Sequence, residues 1–469
     1  MATSPAPSTR PDVLPGGAAE VIGGRVGRHV NPVGWWRLVV AQLMALVSVP
    51  MAAAVFQREH CVRFGWLGDS QFFRACFSDL PAQYAIGHLD GGLSGYVAGS
   101  VTLDQPVFAG TVMSALGGLV PAGSALDQSR WYFLYWVALA TVLLVVTVWC
   151  TAHLIPDDLQ AAAQVALSPI IVLAALLSSD ALAVALVAGA MLAWKRERLV
   201  VTGIFLGLGA LTRGYVVLVV LALLLASVRS DRLRAAVWVA GAALASATAY
   251  ALVFLAIQPG AFTASYTSWW QAKAGYGSPW LFPTIGTYEL PSWSVTVLAV
   301  IGITVALMLG WIFARDAVRP ATWAQVSFVV VAVAMMTAKA VPVQASLWLL
   351  PLAAAAGVRW RDHLIWVGTE LAHFIAIWLY VGALTHADRA LPGPWYAVFL
   401  LVRLAGISYL VWRVWESSQK APGGNDPRSP VDNDWLPTPG TVTLGQSPRA
   451  VQMSGHPREH DNPPVTEGP

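Results

Sequence analysis

Charge is what this chain has least of: 11% of its 469 residues are Asp, Glu, Lys or Arg, while 57% are hydrophobic. Soluble domains carry about a quarter charged residues, so the shortfall excludes an ordinary water-soluble globule and points to a membrane protein of many spans. Cysteine is as scarce. The three copies form no zinc-ligand pattern, and no metal site is expected. There is no Walker-type loop, and no basic patch interleaved with aromatics of the kind that binds nucleic acid. The amino terminus, MATSPAPSTRPDVLPGG, lacks the apolar core of a signal peptide. Residues 1–33 therefore read as a disordered cytoplasmic lead-in, with the first span as an uncleaved targeting signal. A net charge of +3 says little about partners, because in membranes the placement of Lys and Arg matters more.

What the chain has in quantity is apolar sequence, in runs near the ~17–25 residues that a bilayer core of about 30 Å demands of a helix. Twelve apolar segments are predicted, at 35–56, 131–152, 160–177, 180–194, 200–213, 214–228, 235–256, 293–314, 322–338, 342–357, 363–382 and 394–414. Basic clusters punctuate them: Arg25, Arg28 and Arg37; Lys195, Arg196 and Arg198; Arg229, Arg232 and Arg234; Arg315 and Arg319; Arg359 and Arg361; Arg413 and Lys420. With the amino terminus inside and the segments alternating, every cluster falls on the cytoplasmic side. That parity makes VFAGTVMSALGGLV, residues 107–120, a re-entrant or interface-lying helix, and it is short for a crossing. Residues 57–130 then form one long extracytoplasmic loop. Beyond Ser417 the sequence turns to Pro, Gly, Asn, Asp and Ser, so 417–469 is expected to be a disordered cytoplasmic tail. The expected fold class is an all-α polytopic membrane protein, with 34–416 as a single membrane module.

The charged residues outside the basic clusters are the site candidates. Asp79, in CFSDLP, suits the start of a short loop helix, yet Asp90 and Asp104 lie in the same loop. Arg213 and Lys339 stand between apolar half-spans on the outward side, where a charge costs ~2.5–3.5 kcal/mol unless it finds a partner. Snorkelling to the interface would explain either one alone; two at matching helix ends point to an anion, most simply a phosphate. Asp180 reads as the cap of the helix it opens. His88 and Lys273 carry weaker signals. Glu370 and His373, three apart on one helix face, are expected to hydrogen-bond each other. Cys61 and Cys76 share the first loop, where a bond closing about 15 residues would contribute roughly 3 kcal/mol; two unpaired thiols are the other reading. Among 22 tryptophans, the pairs Trp35–Trp36 and Trp269–Trp270 mark span ends.

Six short stretches resemble the actinobacterial membrane glycosyltransferases of the GT-C fold, in particular the glycosyltransferase 87 family. ACFSDLPAQY is similar to that family's C-Y-S-D-I-P, DQPVFAG to E-Y-P-V-L-T-G, and SPIIVLAALLSSDALAVAL to a helix pair joined at W-D. GIFLGLGALTRGY resembles G-x-L-L-G-L-x-x-x-T-K-x-Y-P, AGYGSPW a loop with W-G-S, and AKAVPVQASLWLLPLA part of N-K-x-x-S-P-Q-Y-x-L-W-L-x-P-L. The stretches follow in order from about residue 60 to 380. Arg213 stands where the family mostly has Lys, Gln105 replaces the Tyr before Pro106, and Ala338 and Ala345 replace Asn and Tyr.

The resemblance implies a GT-C bundle that takes a sugar, most simply mannose, from a polyprenyl-phosphate donor. The acceptor would be an envelope glycan or glycolipid at the outer face of the plasma membrane, with no cofactor. Asp79 would be the general base, and Arg213 and Lys339 would hold the donor phosphate. Asp180 and Gln344 would shape the site, with Asp90 and Asp104 beside them. The alternative is an inactive relative, acting as a carrier or scaffold for lipid-linked sugars.

Overall fold

The computed structural model describes residues 32–419, apart from 67, 384 and 385. The expected lead-in and tail, with Arg25, Arg28 and Lys420, lie almost wholly outside the described residues. Among those residues there is no strand. The first apolar run forms α1 (Pro32–Leu46) and α2 (Ser48–Gln57), which meet at Val47. Pro50 has no N–H to give back across that junction. In the loop that follows lie α3 (Asp79–Ile86) and α4 (Val107–Gly117). After them come α5 (Ala125–Leu154), α6 (Leu159–Leu167), α7 (Ile170–Ala174), α8 (Asp180–Lys195), α9 (Leu199–Ala210) and α10 (Tyr215–Arg229). The rest of the bundle is α11 (Leu233–Ile257), α12 (Pro259–Gln271), α13 (Ser292–Asp316), α14 (Trp323–Met336), α15 (Ser346–Ala355), α16 (Trp360–Gly382) and α17 (Gly393–Ser418).

Six helices are long and apolar enough to cross a membrane: the α1–α2 run from Trp35, then α5, α11, α13, α16 and α17. All twelve predicted segments are helical, but the other six are shorter. At 1.5 Å per residue, the 14 residues of α14 extend only about 21 Å. Burial explains the division. In the long helices at most half of the most apolar stretch is buried, from 17% in α11 to 50% in α16, so one side is left for lipid. By contrast α8, α14 and α15 are apolar all round and buried nearly throughout, as a helix in a bundle core must be. Short inner helices need not reach both surfaces; the turn before α8 is buried throughout and the one after α14 partly so, as irregular backbone survives only in protein or polar surroundings. The 11 residues of α4 are likewise too few to cross.

The described basic clusters from Lys195 to Arg413 gather at one end. Arg232 pairs with Glu197 at 3.4 Å, and Arg229 donates to Arg315 O at 3.0 Å. Val318 N–H reaches Ser418 O at 3.1 Å, and Arg413 pairs with Asp362 at 3.1 Å beside Arg361. Lys195 closes the carboxyl end of α5, donating to Leu154 O at 2.8 Å. These contacts join the loops after α8, α10, α13 and α17 to the start of α16. The turns before α8, after α9 and after α14 therefore meet at the opposite end.

Candidate functional site

At that opposite end, the disulfide Cys61–Cys76 ties the first loop three residues before Asp79. Ser78 is extended and caps α3: its hydroxyl accepts from Leu80 N–H and donates to Leu176 O at 2.7 Å. Asp79 N–H donates to Leu177 O at 2.8 Å. Asp79 opens the helix as expected, but because Ser78 supplies the cap, the carboxylate of Asp79 is left for another use. It accepts from Gln344 Nε2 at 3.4 Å, across 265 residues of sequence.

Arg213 follows α9, where two backbone N–H groups fold back on Gly209 O. Its Nε donates to Asp180 Oδ1, its Nη1 to Gln105 Oε1 at 2.6 Å and its Nη2 to Ser179 Oγ at 3.3 Å. Phe108 N–H donates to Leu211 O at 3.0 Å, which brings the 104–108 loop against the Arg213 turn. The Arg213 side chain keeps 15% of its surface exposed and that of Asp180 2%, so the guanidinium is the group with an open edge.

Electrostatics join the two halves. Burial pushes the Asp79 carboxyl up to about 6; Arg213 draws it down, Asp180 and Asp104 raise it, and the bond from Gln344 lowers it. A carboxylate so placed is largely ionised at neutral pH yet basic enough to take a proton.

Asp79, Asp180, Arg213 and Gln344 thus come together, with Asp104 exposed but within electrostatic reach. Asp90 is exposed and acts on Tyr84, outside the group. Lys339 has a different use. Its ammonium donates to Trp269 O at 2.8 Å, Trp270 O at 3.1 Å and Ala272 O at 3.2 Å, and it lies 4.5 Å from the Trp269 ring centre. Those three bonds take up every hydrogen the ammonium has. Lys339 closes the carboxyl end of α12, as cations do at helix ends. This corrects the expectation that it is free to meet a phosphate. Around it the 272–281 and 337–345 segments interlock: Gly275 N–H donates to Lys339 O at 2.8 Å, and Val341 N–H to Tyr276 O at 3.1 Å. Gly277, at φ +78°, lies so close to Val341 O that no side chain fits.

Glu370 and His373 do not bond each other. Glu370 accepts from Arg403 Nε at 2.9 Å, Ser346 Oγ at 2.6 Å and Trp366 Nε1 at 3.1 Å. Both nitrogens of buried His373 have no hydrogen-bond partner among the described residues. The stronger cation of Arg403 takes the carboxylate. Arg403 also holds Val341 O, Pro342 O and Ser346 Oγ, fixing the turn that carries Gln344. Sequence reasoning missed Arg403, although a lone charge inside FLLVRLAG is the same signal that singled out Arg213. It noted Gln105 only as a departure from the family motif and missed Ser179, a neutral residue whose only cue was adjacency to Asp180.

The arrangement offers an ionised carboxylate in the field of a partly open guanidinium, built from four stretches distant in sequence. Compared with known proteins, the chain matches no protein-family model and no curated protein.

Proposed function

We propose that the chain is an inverting membrane glycosyltransferase of the GT-C type, which moves a sugar from a polyprenyl-phosphate donor to a hydroxyl of an envelope glycan or glycolipid. The observation that carries this reading is the convergence of Asp79 with the Asp180–Arg213 pair and Gln344, all from stretches that resemble that family's motifs. In the reaction, the acceptor oxygen would attack the anomeric carbon as its proton passes to Asp79. The C1–O bond to phosphate breaks, and the electron pair leaves on the polyprenyl phosphate. Arg213, through its open edge, would meet the charge that develops on that phosphate. A single base with direct displacement inverts the anomeric centre. Lys339 enters as the residue that closes α12 and steadies the 337–345 turn. Mannose is the sugar the resemblance favours.

The same reading makes the six long helices crossings of a plasma membrane, with the shorter apolar segments running between its faces in the core of the bundle, both termini cytoplasmic and the site outside. The single basic end supports that orientation.

A second reading, an inactive relative that holds lipid-linked sugars, is favoured by one feature: Asp180 neutralises Arg213 while backbone carbonyls occupy Lys339. Purified protein with labelled polyprenyl-phosphate mannose and a glycolipid acceptor separates the two. Transfer by the wild type, lost about 10²–10⁴-fold in Asp79→Asn, is the expected outcome. Equal transfer by Asp79→Asn would remove the base assignment, and binding of donor without transfer would favour the second reading.

A further inference from the structure

A groove of about 370 Å³ runs between α5, α8 and α9, away from the Asp79 site. Its walls are apolar, among them Val146, Trp149 and Phe205, until they reach Arg196 and Arg198 at one end. On α8, Ala185, Gly189 and Ala193 line it alongside leucines. A methyl group on Gly189 would come within 3.1 Å of the Phe205 ring. Asp180 opens α8 and Arg196 follows its last residue, so about 24 Å of helix separates the two sites. The groove therefore ends in the basic end of the molecule.

The two arginines differ from their neighbours. Lys195 is spent on His153 O and Leu154 O, and Arg232 has Glu197. Arg196 lies 5.4 Å from the centre of the Trp149 ring, at the lip of the groove, and neither it nor Arg198 has a carboxylate partner among the described residues. An apolar trough alone would take any lipid chain. Two unpaired guanidiniums at its mouth add a demand for negative charge that a zwitterionic lipid meets poorly.

We propose that this groove binds one anionic glycerophospholipid, with an acyl chain between α5, α8 and α9 and its phosphate held by Arg196 and Arg198. This binding does not rest on sugar transfer.

Native mass spectrometry of the full chain in detergent tests it, with phosphatidylglycerol and phosphatidylcholine of identical acyl chains in equal amounts. One phosphatidylglycerol is expected to be retained in preference, by about fivefold for each arginine. Arg196→Gln with Arg198→Gln should bring the ratio near one, while Val146→Trp, which fills the groove, should lower retention of both lipids. Arg234→Gln, at the same end but off the groove, should leave the preference unchanged; thermal unfolding in detergent shows that each variant is folded. Equal retention by the wild type overturns the proposal. So does an unchanged preference in the double variant, or a loss as large in Arg234→Gln.

Discussion

Two of the arginine–carboxylate pairs in this bundle, Arg403–Glu370 and Arg213–Asp180, are built to different ends. In Arg403–Glu370 both side chains are wholly buried, and both carboxylate oxygens and all three guanidinium nitrogens have partners. In Arg213–Asp180 each guanidinium nitrogen also has a partner, but the arginine side chain keeps 15% of its surface exposed, and a second carboxylate, Asp79, stands within its field without being bonded to it. A saturated pair has nothing left to offer a ligand and acts as a clamp. A pair with an exposed guanidinium and an unspent neighbouring acid can change partners. Burial of an ion pair is thus no mark of a site by itself; what matters is whether the cation keeps surface that a ligand can reach.

The sharpest way to break the comparison is to neutralise each acid. Glu370→Gln leaves Arg403 charged and unpaired in the core, at an expected cost of about 3–5 kcal/mol. Asp180→Asn, at a partly open site that keeps its hydrogen bonds, is expected to cost about 1–2 kcal/mol. Thermal unfolding in detergent measures both, and equal losses would erase the distinction between clamp and site.

Next in size, Arg213→Gln is expected to slow sugar transfer about 10²-fold, with folding little changed. Because Arg213 holds the Asp79 carboxyl down, its removal should also move the acid limb of the pH–rate profile to higher pH.

Asp79 also supplies a test that needs no substrate. Its folded-state pKa of about 6 lies above the unfolded value of about 4. The folded chain therefore holds that proton more tightly, and the contribution to stability is present below pH 4 and lost as pH rises to about 6. Relative to Asp79→Asn, the melting temperature of the wild type should fall across that window and stay level above it. No difference between the two proteins would mean that the carboxyl is not buried as described.

The smallest effect is expected at Gln344→Leu. Losing one hydrogen bond of 3.4 Å to Asp79 should raise the same acid limb by about half a pH unit. Carbodiimide labelling of Asp79 against pH reads that change directly.

The residues divide by what made them legible. Asp180 and Arg213 stood out because a charge between apolar halves is costly wherever the chain folds. Arg403 sent the same signal and was passed over, since a long apolar run reads as a lipid-facing span until its neighbours are known. Lys339 was recognised, but its use was not. Whether an ammonium meets a phosphate or three carbonyls depends on which loop lies against it, and α12 begins eighty residues earlier in the chain.

The pairing of Cys61 with Cys76 was open on sequence alone, because spacing allows a bond without requiring one. The structure closes it. Ser179 could not be picked out at all, and Gln105 stood out only as a departure from the family motif: neutral side chains join a site only by being placed there.

From its composition and order alone, this chain is committed to membrane helices, to a basic end, and to a few charges at helix ends that must find partners. These follow from terms that act locally, apolar length against bilayer thickness and the cost of an unpaired charge in a dry interior. Which charge meets which partner was decided by tertiary packing. Hydrogen bonds and ion pairs act over a few ångströms, so only the assembled bundle could separate the open pair from the sealed one.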